Sequence, residues 1–248
     1  MPLPYPTLMG LLGREDVHPG GAAASQELVE RLGVPPRGAR IVDLGAGAGG
    51  TSKRLVQRGW SVVSVEPDAD LRGVLRAQRL DGRDGRAESL DDVVGKHAVD
   101  AVIAESVLYL TDLERAFAGI RRALVPGGTL AFVDLVWVPG TSPESAAAAN
   151  DRAEARFAIG IATRRNLTWT DWKRLLDDAG FDVVFEHRLG FGTQGHASRP
   201  HLRRALPAVL RRPSLVGEAL RTAWRTRVDP RLSPDDAETW MCIARVRG

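Results

Sequence analysis

Asp43 closes a short apolar run, Ile41-Val42-Asp43-Leu44, and glycines follow at 45, 47, 49 and 50 before Lys53 to Arg58 reads as helix. The local order is strand, glycine turn, helix. Glycine belongs in such a turn where the backbone needs a positive φ or a ligand comes too close for a Cβ. The free N–H groups of the following helix face whatever lies over the turn. Gly45, Gly47 and Gly50 fit the G-x-G-x-x-G dinucleotide spacing, while Gly45, Gly47 and Gly49 fit G-x-G-x-G. Asp43 tilts the balance, because a carboxylate two residues before the first glycine sits badly beside a pyrophosphate and suits a ligand with a cationic end. Glu66 ends the β-branched run Ser61 to Val65, 21 positions after Gly45. An acid there can accept hydrogen bonds from both hydroxyls of a ribose. A ligandless turn and a solvated strand end are the plainer readings, and the two signals together outweigh them.

The elements that must position these residues alternate. After an irregular start, Ala24, Leu28, Val29 and Leu32 make one helical face. Strands follow at about 40–44, 61–66, weakly at 84–87, at 99–104 and at 129–135, with helices between them. Residues 136–168 carry no strand signal, and 145–165 is alanine-rich and helical in pattern. Thr168-Trp169-Thr170-Asp171 looks like a capping box, and a sixth strand covers 181–188. A long excursion over 189–238 precedes a last strand at 239–246. Alternation demands an α/β fold, a parallel sheet with helices on both faces. The ligand of such a sheet sits at the carboxyl ends of its strands. Asp43, Gly45, Glu66, Ala87 and Glu105 all fall at those expected ends.

Composition sets the outer bounds. The 248 residues suit one domain, and 44% hydrophobic content supports a sizeable core. The single cysteine, Cys242, forms no internal disulfide and has no metal-ligand spacing around it, so a reducing, cytoplasmic setting and no metal are expected. Met1 to Pro6 lacks the basic and apolar regions of a signal peptide, and no apolar run approaches a membrane span. Net charge is only +3, but eight arginines and one acid lie between Arg199 and Arg227. Arginine outnumbers the three lysines throughout, so its count alone carries little functional weight.

The chain resembles the class I S-adenosylmethionine (SAM) methyltransferases, in the small-molecule subgroup labelled type 11 or 25, over about residues 17–188 plus the last strand. The matching stretches are Val42 to Gly49, Val65-Glu66-Pro67, Ala87 to Leu90, Val99 to Ser106 and Leu124-Val125-Pro126-Gly127-Gly128, joined by Ala179-Gly180-Phe181. The resemblance implies a Rossmann-like seven-stranded sheet, mostly parallel with the last strand antiparallel. It implies one domain over 1–248, with an N-terminal segment 1–38 and helical cap insertions at 136–168 and 189–238. It also implies that Asp43, Gly45, Ala46, Gly47 and Gly49 meet the methionine part of SAM, that Glu66 and Pro67 meet the ribose, and that Ala87 and Glu88 flank the adenine. Arg86 stands where the family often has an acid, which leaves the adenine contact to Glu88 or to backbone.

Methyl transfer from a sulfonium needs alignment first and a general base only if the acceptor loses a proton. His18, Glu105 and Tyr109 are the candidates, with Glu105 also placed to bind SAM. His18 can equally cap its helix, and Glu105 can equally bind a cationic substrate. His196, in a glycine-rich stretch, reads more simply as a surface histidine. Trp137, Trp169 and Trp172 could line an aromatic acceptor pocket, although the last two have core spacing. The expected function is methylation of a small molecule, one that the arginines would allow to be anionic, with S-adenosylhomocysteine as product and a homodimer left open. The alternatives are an RNA methyltransferase and a SAM-binding protein that does not methylate. The lack of an RNA-binding module and the modest net charge of +3 argue against nucleic acid. A gel-shift series with tRNA and duplex DNA should therefore show weak binding that vanishes well below about 150 mM salt; tight binding with a steep salt slope would reverse this reading.

Overall fold

The computed structural model describes residues 3–163, 165–189, 208–228 and 236–248. The helices are α1 (Tyr5–Leu11), α2 (Gly21–Arg31), α3 (Gly50–Gln57), α4 (Ala69–Ala77), α5 (Leu90–Val94), α6 (Leu113–Ala123), α7 (Pro143–Phe157), α8 (Trp169–Asp178) and α9 (Ser214–Val228). The strands are β1 (Arg40–Leu44), β2 (Ser61–Val65), β3 (Gly82–Arg83), β4 (Val99–Glu105), β5 (Leu124–Trp137), β6 (Phe181–Leu189) and β7 (Ala237–Val246). They form one seven-stranded sheet in the order β3-β2-β1-β4-β5-β7-β6. β1 pairs in parallel with β2 and β4, and β7 runs antiparallel to both β5 and β6.

The near-continuous apolar runs of β1 and β4 are buried on both faces, as central parallel strands require. On one face Phe117 of α6 and Trp172 of α8 pack edge to face, 6.1 Å between ring centroids, over Phe132 of β5. On the other, Leu28 and Val29 of α2 and Leu55 of α3 meet Ile41, Ile103 and Val133. The capping box at Thr168 and Asp171 is formed, and Pro143 takes the first turn of α7 behind a Ser142 cap, where its missing N–H costs nothing.

Four expectations change. The N-terminal stretch is not irregular: Tyr5–Leu11 is helical, and Leu8 and Met9 form a separate cluster with Leu215 of α9. The third strand is two residues long and ends before Asp84, and Ala87 to Ser89 is a 3-10 turn instead. β5 runs from Leu124 to Trp137, longer at both ends, with a register shift against β4 between Val99 and Ala101. α7 stops at Phe157, followed by Ala158 at φ +51°, rather than continuing to Arg165. His196, the glycine-rich stretch 190–195 and Arg199, Arg203 and Arg204 lie outside the described residues. Among the described residues no helix is long and apolar enough to cross a membrane, and no group of three or more His, Cys, Asp or Glu could hold a metal ion.

Phe117 is fully buried in this core layer against Trp172, so Phe117→Ala should cost about 3–5 kcal/mol in a urea unfolding experiment, the mark of an uncollapsed aromatic void.

Candidate functional site

The carboxyl ends of β1, β2 and β4 open into a cavity of about 270 Å³. The glycine turn forms its floor. Gly45 holds φ +70°, and a Cβ there would lie 2.8 Å from Val107 Cγ2, so both the backbone angle and the close approach of the loop after β4 require glycine. Glu66, just past β2, accepts the Gly47 N–H through Oε2 and the Asp68 N–H through Oε1, both at 2.9 Å. Burial raises its carboxyl above the usual range against the pull of those bonds.

Asp43 is 3% exposed and accepts the Ser52 hydroxyl at 2.5 Å; Ser52 Oγ in turn lies 2.7 Å from Ser64 Oγ. Burial, opposed by the Ser52 bond, pushes the Asp43 carboxyl up to about 7, and the charges of Glu105 and Glu66 add to the rise. Glu105, at the end of β4, accepts the Thr51 hydroxyl through Oε2 at 2.5 Å. Its other oxygen is buried without a hydrogen-bond partner, 3.6 Å from His18 Nε2. Ser106, the next residue, sits at φ +54° with its hydroxyl buried and unpartnered.

His18 Nδ1 lies 3.0 Å from the Pro19 carbonyl and Nε2 lies 3.0 Å from Ser25 Oγ. A carbonyl only accepts, so Nδ1 carries the hydrogen and Nε2 is the basic atom, between Ser25 and Glu105. The strap from Arg14 to His18 lies across the glycine turn and is tied to α3. Arg54 grips Asp16 in a bidentate pair at 2.7 and 2.8 Å, and Lys53 pairs with Glu15. Nothing in the sequence pattern announces this strap; the only hint is that Glu15, Asp16, Lys53 and Arg54 are adjacent opposite charges on two separate segments.

Of the residues singled out from sequence, His18, Asp43, Gly45, Ala46, Gly47, Glu66, Pro67 and Glu105 are brought together around this cavity. Gly49, Ala87, Glu88 and Tyr109 are not. Gly49 turns its Cα toward Leu80 and Leu75 of the neighbouring layer. Ala87 and Glu88 are drawn the other way: a Cβ at Gly119 of α6 would fall 2.2 Å from the Ala87 carbonyl oxygen, so the 3-10 turn is seated on that helix, and Glu88 Oε1 accepts the Asp112 N–H. Tyr109 faces a second cavity, of about 210 Å³, beneath α7. Burial, then the charge of Asp134, pushes its phenol well above the ordinary value. Asp134 itself is buried and raised to about 7 by desolvation, while it accepts the Leu108 N–H at 2.8 Å and so fixes the turn between the cavities. Trp137 and Trp172 line that second cavity, whereas Trp169 stacks on Trp240, 4.9 Å between centroids.

The strand order, the glycine turn and the acid past β2 are features of a Rossmann-like methyltransferase fold. Residues 42–132 match the family model described as a methyltransferase domain. The chain is 40% identical over 108 residues to an uncharacterized methyltransferase of Mycobacterium bovis, a match that spans 42% of each chain and so less than half the length of that relative. Its fold is similar to that of a protein solved as a putative sarcosine dimethylglycine methyltransferase from Galdieria sulphuraria, with a TM-score of 0.66 at 16% identity over 90% of this chain and 85% of the other. It is also similar to the geranyl diphosphate C-methyltransferase of Streptomyces coelicolor A3(2), solved with Mg2+, geranyl diphosphate and S-adenosyl-L-homocysteine, with a TM-score of 0.62 at 20% identity over 91% and 76%.

The Asp43 carboxyl has a direct consequence for stability. Its folded value, about 7, lies above the unfolded value near 3.8, so the native state holds a proton that the unfolded chain has lost. Stability from this group is full below about pH 4 and is lost as pH rises through 7. Asp43→Asn keeps an acceptor for Ser52 without the charge. In urea melts its stability relative to wild type should improve from pH 5 to pH 8, by at most about 1.4 kcal/mol per pH unit.

Proposed function

We propose that the chain transfers the methyl group of SAM to a small molecule. The observation that carries this reading is the Glu105 carboxylate: one oxygen is held by Thr51, and the other is buried, unpartnered and set in a cavity shared with Asp43 and Glu66. Three carboxyls in a desolvated space call for a cation. SAM offers an ammonium and a sulfonium, which fit that donor set, and its ribose fits Glu66, whose two oxygens each hold one backbone N–H and keep further acceptor capacity. On this reading Asp43, Gly45, Ala46, Gly47, Glu66, Pro67 and Glu105 hold the cofactor. When bound, SAM supplies a methyl already activated for in-line displacement.

The remaining chemistry belongs to the chain. The strap and the glycine turn exclude water and fix direction, an effect that can reach about 7–11 kcal/mol of the barrier. His18 Nε2 can receive a proton from an acceptor hydroxyl or amine, and Glu105, 3.6 Å away, stabilises the imidazolium so formed. Tyr109 serves as a donor, because a phenol held far above its ordinary value keeps its hydrogen. The small-molecule acceptor is supported by the geranyl diphosphate in the Streptomyces structure, and Arg152 at the second cavity is placed to receive an anionic group on such an acceptor.

Titration calorimetry with S-adenosylhomocysteine is the test. Wild type should bind, and Glu66→Ala should lose about 1.5–3 kcal/mol, the worth of hydrogen bonds to a charged acceptor. A wild-type protein that does not bind this ligand would end the reading.

A further inference from the structure

The cavity beneath α7 is a second built site. It is bounded below by Tyr109, Trp172 and Leu167 and above by Asn150, Ala153 and Phe157 of α7, and its walls are overwhelmingly apolar. A dry apolar cavity of about 150 Å³ is enough to take benzene, and this one holds about 210 Å³. One group in it is out of character. Asn150 is 6% exposed, and its Nδ2 is buried with no hydrogen-bond partner. A buried amide without a partner costs about 1–3 kcal/mol, so a donor left open inside an apolar wall points to an acceptor atom that arrives with a ligand.

The charges near the cavity sit at its rim. Arg165 is spent on Glu114, at 2.8 Å, with both side chains more than half exposed. Asp236 and Arg152 both line the cavity, so its charged lining is not of one sign. An ion would have to leave water to enter; an uncharged body would not.

The cavity also adjoins the cofactor cavity through a shared wall. Val107 and Leu110 face the first, and Tyr109, between them in sequence, faces the second. Two hydrogen bonds position this segment: Asp134 accepts the Leu108 N–H, and Ala162, from the segment after α7, donates its N–H to the Leu110 carbonyl at 3.0 Å.

We infer that this cavity binds an apolar, ring-sized molecule carrying one uncharged oxygen, with that oxygen accepting from Asn150 Nδ2 and the rings lying among Tyr109, Trp172 and Phe157. Resting on the proposed methyl transfer, this is the acceptor or the apolar part of it. An anionic substituent stays at the mouth with Arg152. The site favours a neutral oxygenated ring compound over a small zwitterion, whose two charges would have to leave water to enter.

The probes are 2-naphthol and naphthalene, followed by quenching of tryptophan fluorescence and by calorimetry, with S-adenosylhomocysteine titrated in parallel on the same preparations. Wild type should bind 2-naphthol more tightly than naphthalene. Asn150→Leu, apolar and of similar size, should weaken 2-naphthol about five- to tenfold and leave naphthalene unchanged or tighter. Ala153→Trp should fill the cavity and remove both, with S-adenosylhomocysteine affinity retained as the sign of an intact fold. Failure of wild type to bind either probe while it binds S-adenosylhomocysteine would overturn the inference and leave the cofactor reading standing. Binding of the probes without S-adenosylhomocysteine would support the cavity and remove the methyl-transfer reading instead. Equal loss of both probes in Asn150→Leu would overturn the role given to Asn150.

Discussion

A carboxylate removed from water must be given a proton, a hydrogen bond or a cation, and this molecule places several of them along one edge of its sheet. Asp43 shows the first two solutions at once. It takes the Ser52 hydroxyl from α3, whose oxygen lies against Ser64 of β2, so a single polar node joins β1, β2 and α3 inside an otherwise apolar layer. Asp134 does the same two strands further along, on β5, where its carboxylate holds the turn after β4. Glu105 is only half satisfied: Thr51 holds one of its oxygens, and the other is buried without a hydrogen-bond partner. The glycine turn, the strap and the loop at Val107 are arranged around these acids, and the apolar layers behind them leave the carboxylates no other direction to face.

The sheet was legible because its signals were redundant. β1, β2 and β4 read as apolar runs with helical segments between them, so each local preference agreed with the alternation. The edge was harder. Only two residues of β3 pair with β2, too few for a pattern, and the residues read as strand after them follow the packing of α6 instead. α1 was hidden by its prolines at 4 and 6, which sit at the helix cap and first turn rather than interrupting it.

The candidate site was legible where chemistry is local. Asp43, the glycines and Glu66 lie within one β-α-β unit, so spacing in sequence maps onto spacing in the cavity. It was illegible where chemistry is assembled from afar. The pairing of Asp16 with Arg54, and the approach of His18 to Glu105, join residues separated by long stretches of chain. Asn150 was invisible for a different reason: an asparagine in an alanine-rich helix looks solvated until the packing shows which way it faces. Ala87 and Glu88 do not line the cavity, and a motif match says nothing of the glycine in α6 on which their turn is seated.

The position of β7 has a consequence for how the molecule comes into being on the ribosome. β6 touches the sheet only through β7, and β7 occupies the slot beside β5. Synthesis runs from the N-terminus, so β1 to β5 can assemble while β6, already made, still has no neighbour. Until Ala237–Val246 has emerged, β5 presents a long open edge and β6 is a detached ribbon carrying Phe181 and Val183. An open strand edge is a template for pairing with another chain. The nascent protein is thus at its most adhesive just before its last strand arrives, and the step that closes the sheet is also the step that silences that edge.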